Sequence, residues 1–218
     1  MGVAAPAARR VAMYPYRYIG GQRAFKYAAW RTVRAMAPPR IPYVAADLSE
    51  PAELVQAIRA RRGGGLLGLD RMLLHSPPFA AGWNALLGAV RQRLQLDPRL
   101  RELCICAVAV LNRAPYEMAQ HAPEFLEAGG TQAQLDALQD YDAACRDDTL
   151  FTPAERMALQ LTRDMTRDVE IGDAHFAAAA GLLTRRELVE LVGVVAAYNM
   201  VSRFLVALGV HDTQGDTA

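Results

Sequence analysis

One lysine, four histidines and three cysteines in 218 residues remove several chemistries before any motif is sought. Cys104, Cys106 and Cys145 form neither a disulfide framework nor a zinc spacing, and Cys104 and Cys106, two apart on a helix, diverge. They read as buried or incidental thiols, small hydrophobes in a reducing compartment. No His-x-x-x-His pair occurs, so a metal site is not expected. No apolar run reaches about 18 residues, which argues against a transmembrane helix. No secretory apolar segment follows Met1, so the expected location is cytoplasmic. The single lysine against 23 arginines is a compositional bias and not a site.

What is present is a globular composition, 52% hydrophobic and 22% charged, at a length that supports one domain with a core. The net charge of +1 hides an asymmetry. Residues 1–40 carry seven Arg, one Lys and no acid, whereas the remaining 178 residues carry 16 basic and 23 acidic groups. The chain therefore divides into a basic N-terminal arm at 1–40, a body at 41–210 and a short tail at 211–218. Within the arm, Phe25, Ala28, Ala29, Val33 and Met36 suit a short amphipathic helix ahead of Pro38 and Pro39. The arm fits packing on its own body or on a second subunit, an unstructured or misassigned start, an anionic membrane or nucleic acid, or an organelle transit peptide. With no recognised binding motif, no nucleic-acid partner is expected.

Helix boundary signals recur along the body, and no stretch reads as a strand, so the fold class is all-α. Asp47 or Ser49 can cap a helix over 52–62 that Gly63, Gly64 and Gly65 end; with no preceding strand and no following Gly-Lys-Ser/Thr, these glycines are not a phosphate loop. Residues 66–74 and 79–94 read as the next two helices, parted at His75, Ser76 and Pro77. Asp97 and Pro98 open a nearly continuous apolar helix that ends near Asn112. Thr131 with Gln134, Thr152 with Glu155 and Thr184 with Glu187 are capping boxes, predicting helices over 132–141, from 153 and from 185 to 208, with another opened by Asp173. The segments at 100–111 and 185–196 share Arg-Glu-Leu and an apolar run 85 residues apart, a faint internal repeat.

Ionisable groups gather in one stretch, residues 101–130. Pro115 suits a first helical turn, and His121 lies four residues after Glu117, on the same face; Tyr116 and Gln120 make a parallel pair. Glu102 opens the preceding helix and reaches this polar face if the chain reverses near Asn112. A carboxylate at the start of so apolar a helix requires a partner or a role.

Arg101-Glu102-Leu103, then Tyr116-Glu117 with His121, then Glu127-Ala128-Gly129, resemble the carboxymuconolactone decarboxylase family, whose fold is shared with alkylhydroperoxidase D-like proteins. A later stretch from Arg186 through Tyr198, Asn199 and Met200 to Gly209 is similar to the family's C-terminal helix. In the peroxidase branch a Cys-x-x-Cys-x-x-x-His run does the chemistry with an upstream Glu. Here His121 and Glu102 match, but Ala114 and Glu117 occupy the two Cys positions. The resemblance thus implies the decarboxylase-like branch: a cofactor-independent lyase or isomerase acting on a small carbonyl acid or lactone. In it His121 acts as acid, Glu117 sets its protonation and Glu102 is a relay or second base. It also implies a substrate pocket that draws on Tyr116, His75, Gln120, Tyr198 and Asn199, and a homo-oligomer, a trimer or hexamer. Arg203, four residues after Asn199, is placed to meet a carboxylate or a surface ion pair. A non-catalytic oligomeric or ligand-binding protein is the alternative, and a thiol peroxidase is disfavoured by the missing cysteines.

Overall fold

A computed structural model describes residues 38–211, which contain ten helices and no strand. The basic arm up to residue 37 and the tail from 212 lie outside the described residues, including the amphipathic helix expected around Phe25 and Val33. The helices are α1 (Ala52–Arg62), α2 (Gly68–Leu73), α3 (Pro77–Gln92), α4 (Pro98–Leu111), α5 (Pro115–Glu127), α6 (Gln132–Ala137), α7 (Tyr141–Ala144), α8 (Pro153–Arg167), α9 (Asp173–Leu182) and α10 (Arg185–Leu208).

α4 is the central rod. Every residue from Leu103 to Ala109 is fully buried, and α5, α8 and α10 pack around it. Cys104, Ile105 and Val108 join a core with α3, α8 and α10, whereas Leu103, Cys106 and Ala107 join a second core with Phe125, Leu135 and Leu138. Each fully buried Leu or Ile here contributes about 1.5–3 kcal/mol relative to exposure. All three cysteines are buried free thiols.

Most caps form as the sequence dictates. Asp97 accepts from the Leu100 N–H at 3.0 Å, and Thr131, Thr152 and Thr184 each close a capping box. The exceptions have local causes. α1 has no side-chain cap from Asp47 or Ser49, because Pro51 takes the capping position and Glu50 accepts the Ala52 N–H instead, at 3.0 Å. The single helix expected over 132–141 breaks into α6 and α7, because Asp140 accepts from the Ala143 N–H at 3.2 Å and starts a new cap. Asp173 is the first residue of α9 and not its cap, which is Gly172.

α4 and α5 form the hairpin that the sequence requires. Arg113 adopts a left-handed conformation (φ 55°), and the Ala114 N–H returns to the Ala109 carbonyl at 2.8 Å, closing α4 and turning α5 back along it. α10 ends at Gly209 (φ 66°), where the Leu208 carbonyl accepts the Arg40 N–H at 2.9 Å, so the entering chain is tied to the end of the last helix. By length and composition alone α10 is apolar enough to cross a membrane, although no uninterrupted apolar run shows this in the sequence; half of that stretch is buried inside the protein.

Candidate active site

The α4–α5 hairpin sets two carboxylates and an imidazole against each other, and α3 and α10 close the arrangement. Glu102 lies one turn into α4, and both of its oxygens are used: Oε2 meets His121 Nδ1 at 2.7 Å, and Oε1 accepts from Arg101 Nε at 3.0 Å. Burial alone would push the Glu102 carboxyl up, but its interaction with His121, aided by Arg101, holds it below the usual carboxylate range. Glu102 is therefore ionised at neutral pH.

His121 is 5% exposed and stands edge-on to the ring of Tyr198, with centroids 4.9 Å apart. Burial pushes its imidazole below the ordinary value, with Arg91 and Arg101 adding to the effect and Glu102 opposing it without overcoming it. A neutral imidazole that donates from Nδ1 to the Glu102 carboxylate leaves its Nε2 lone pair free to accept. Nε2 faces Arg91 Nη2 at 3.4 Å, and Arg91 Nε donates to the Tyr198 hydroxyl at 2.8 Å.

Glu117 is 2% exposed, and neither of its oxygens has a hydrogen-bond partner. Burial drives its carboxyl well above the usual range, and the nearby Arg91 charge lowers it only in part. Burial thus favours the protonated form of this carboxyl, which is a donor without an acceptor. Glu117 and His121 line one small cavity together with Arg91, Tyr116, Gln120, Arg62, Leu67, Leu69, Val201 and Leu205. Its volume is ≈ 10 Å³, close to the lower limit for a single water, so a substrate enters only if lining side chains move. The Arg62 guanidinium is held by the buried Asp70 through two bonds, Nε to Oδ2 at 3.0 Å and Nη2 to Oδ1 at 3.2 Å.

The expected residues divide into three groups. Glu117, His121, Tyr116 and Gln120 line the cavity. Glu102 and Tyr198 stand behind it, holding His121 and Arg91. His75 and Asn199 belong elsewhere. His75 is exposed and its Nε2 bonds the Pro42 carbonyl at 2.7 Å, because the α2–α3 corner turns outward and meets the entering chain. Asn199 Nδ2 donates to Thr166 Oγ1 at 2.9 Å and to the Val195 carbonyl at 3.0 Å, and its Oδ1 accepts from Asn112 Nδ2 at 3.0 Å, so it clamps α10 to α8 and α4. Arg203 donates to the Asn199 carbonyl at 3.0 Å and to its side chain, and so serves α10 itself. The partner expected for His121 also changes. Glu117 shares its helix face, but Glu102 takes the hydrogen bond across the hairpin, and Glu117 is left as an independent acid.

Arg91 and Arg62 are the charged cavity residues that the sequence did not single out. Neither sits in a local motif; the only signal is a cation in the last turn of its helix. Among the described residues, no cluster of three or more His, Cys, Asp or Glu is placed to hold a metal ion.

The carboxymuconolactone decarboxylase family profile matches residues 77–164, a span that includes Arg91, Glu102, Glu117 and His121. No curated protein sequence matches the chain. Among solved structures, a peroxidase-related protein from Silicibacter sp. TM1040 is similar at TM-score 0.66 and 17% identity, covering 81% of this chain and 92% of its own. The alkylhydroperoxidase AhpD core protein from Ralstonia eutropha JMP134 is similar at TM-score 0.67 and 16% identity, covering 82% and 94%. The debrominase Bmp8 in complex with 2,3,4-tribromopyrrole is similar at TM-score 0.60 and 14% identity, covering 83% and 92%. These likenesses concern the fold. The family match thus covers α3 to α8, the part of the chain that holds the candidate site, and the helical fold is shared with AhpD-like proteins.

Proposed function

We propose that the protein is a lyase or isomerase that moves protons on a small carbonyl acid or lactone, using its own Glu and His side chains. The observation that carries this reading is one cavity lined by a buried imidazole, which burial pushes toward its neutral form, and a buried carboxyl with no hydrogen-bond partner, which burial pushes toward its protonated form. In the isomerase form His121 Nε2 removes a proton next to the carbonyl, the electron pair moves onto the carbonyl oxygen, and Glu117 returns a proton at another carbon. In the decarboxylase form the bond to the carboxylate breaks, CO2 leaves, the electron pair becomes an enolate, and the Glu117 proton goes to carbon. Arg91 supplies positive charge for the enolate oxygen in both. Glu102 positions His121 and compensates the imidazolium formed while the proton is held.

The use of the fold by an enzyme, the debrominase Bmp8, supports a catalytic reading. Thiol peroxidase chemistry is disfavoured, because burial pushes the Cys104 thiol to about 12 and that of Cys145 to about 11, and thiols in that range supply little thiolate. A homo-oligomer, a trimer or hexamer, is part of the proposal, supported by the exposure of Val189 (71%) on α10. A second reading is a ligand-binding protein without turnover, in which the unpartnered Glu117 carboxyl holds a ligand by hydrogen bonding. A panel of small keto acids and unsaturated lactones separates the two. CO2 release or double-bond migration that is lost in both His121→Asn and Glu117→Gln supports catalysis. Binding without turnover in the wild type supports the second reading.

A further inference from the structure

Two guanidiniums line the cavity, and the chemistry proposed above uses only one of them. Arg91 faces His121 and Tyr198. Arg62, in the last turn of α1, is 6% exposed and is held by Asp70 of α2, which is 1% exposed. Asp70 takes the Nε and Nη2 edge of the fork, two of its five N–H groups, and so fixes the plane of the guanidinium. The same carboxylate accepts the Leu67 N–H at 3.0 Å and meets Arg61 Nη2 at 3.5 Å, so each of its oxygens has two donors. One negative charge is thus shared by two arginines, and Asp70, Arg61 and Arg62 together carry one net positive charge at the cavity wall.

Fastening α1 to α2 does not call for this arrangement. A buried ion pair is often no more stabilising than well-packed apolar residues of similar volume, and these helices already bury Val55, Ile58, Leu69, Met72 and Leu73. What the pair adds is an oriented cation beside Leu67 and Leu69 in the cavity lining. Glu117 and His121, the groups proposed to move protons, come from α5, and Val201 and Leu205 of α10 add apolar surface. A ligand that meets both Arg62 and the α5 side chains is an acid whose carboxylate is separate from its reacting carbon.

We infer that Arg62, braced by Asp70, is a specificity-determining residue that binds a carboxylate the substrate keeps through the reaction, while the reacting carbonyl lies at Arg91, His121 and Glu117. This rests on the function proposed above and narrows it: the substrates are acids, and neutral amides or lactones of the same skeleton are rejected. A planar fork pairs with the two oxygens of a carboxylate, a match that a point charge does not make. Asp70 touches no substrate and is a positioning residue.

The test uses the full-length protein, titration calorimetry, and 4-oxopentanoate with its amide, 4-oxopentanamide, as probes. The wild type should bind the acid about ten- to a hundredfold more tightly than the amide. Arg62→Gln should abolish that preference, Arg62→Lys should restore it only in part, and Asp70→Asn should lower it because the fork loses its orientation. If Arg62→Gln does not fold, Arg62→Met combined with Asp70→Leu removes the pair without leaving a buried charge unpaired, and should abolish the preference in the same way. An acid preference that survives in the folded Arg62 variants overturns the inference, as does a wild type that binds both probes equally or binds neither. Turnover is scored separately. An Arg62-dependent acid preference without turnover of any keto acid upholds the subsite and sinks the lyase or isomerase reading. Turnover that depends on His121 and Glu117, without an Arg62-dependent acid preference, does the reverse.

Discussion

Two histidines in this chain are gripped by carboxylates, and they illustrate different uses of the same pair. His175 on α9 meets Asp164 on α8 at 2.5 Å, and Arg163 adds a second contact to Asp164 at 3.4 Å. The His175 side chain is 36% exposed, so the pair fastens one helix to the next at the surface. His121 meets Glu102 at a similar distance, 2.7 Å, but both side chains are almost wholly buried. Its other nitrogen faces a cavity that also holds an arginine and a carboxyl with no partner. A histidine–carboxylate contact is therefore weak evidence of chemistry by itself. Burial, a second ring nitrogen turned to a cavity arginine and an unpartnered acid nearby distinguish a site from a fastening.

Substituting the two histidines tests that distinction most strongly. On a substrate that the wild type turns over, His121→Asn should lower kcat/KM by about 10²–10⁴-fold, the usual worth of a positioned acid–base group. His175→Asn should leave the rate essentially unchanged. Equal losses in the two variants would erase the comparison.

Removing the carboxylates should separate the pairs in stability. Glu102→Ala leaves the His121 Nδ1–H buried without an acceptor and should cost about 1–3 kcal/mol. Asp164→Ala leaves His175 and Arg163, both part-exposed, free to be hydrated and should cost about 1 kcal/mol or less, as part-exposed ion pairs do. Urea unfolding of both variants at one pH gives the two numbers.

A smaller effect distinguishes the two glutamates at the cavity. Glu117 has a folded pKa above its unfolded value, so its contribution to stability is full at low pH and is lost as pH rises past the ordinary carboxylate range. Glu102, lowered in the fold, contributes above that range and loses its contribution as pH falls through its folded pKa. The Tm of Glu117→Gln minus that of the wild type should therefore increase from acid to neutral pH. A flat difference would mean that Glu117 is not held protonated.

The smallest effect lies beside the exposed pair. Val169, which follows the α8 cap, has φ 70° and is 84% exposed, a conformation that a β-branched residue adopts only under strain. Val169→Gly should raise stability by about 1 kcal/mol without altering turnover. Strain there is expendable, because nothing in the proposed chemistry depends on it.

The sequence made the scaffold legible where a single residue performs a local task. Asp97, Thr131, Thr152 and Thr184 cap helices because each satisfies N–H groups only three residues away. The convergence of Glu102, Glu117 and His121 was legible through motif spacing on one hairpin. Which carboxylate grips His121 was not, because helix spacing puts Glu117 on the same face while packing between helices decides the contact. Arg91 was hidden for a related reason. It reaches His121 from 30 positions upstream through the packing of α3 on α10, and no local pattern encodes that. Tyr198 and Asn199 are neighbours in sequence, but successive helical residues point about 100° apart. One therefore braces the site and the other clamps the helices.

The claim on which the account depends is that Glu117 is a neutral acid at neutral pH, in the same cavity as a neutral His121. Infrared difference spectroscopy of wild type against Glu117→Gln reads this without knowledge of the substrate. The account predicts that the wild type at neutral pH shows the carbonyl stretch of a protonated carboxylic acid, that the band is missing in the variant, and that it persists in Glu102→Gln. A Glu117 signal in the carboxylate region at neutral pH would contradict it.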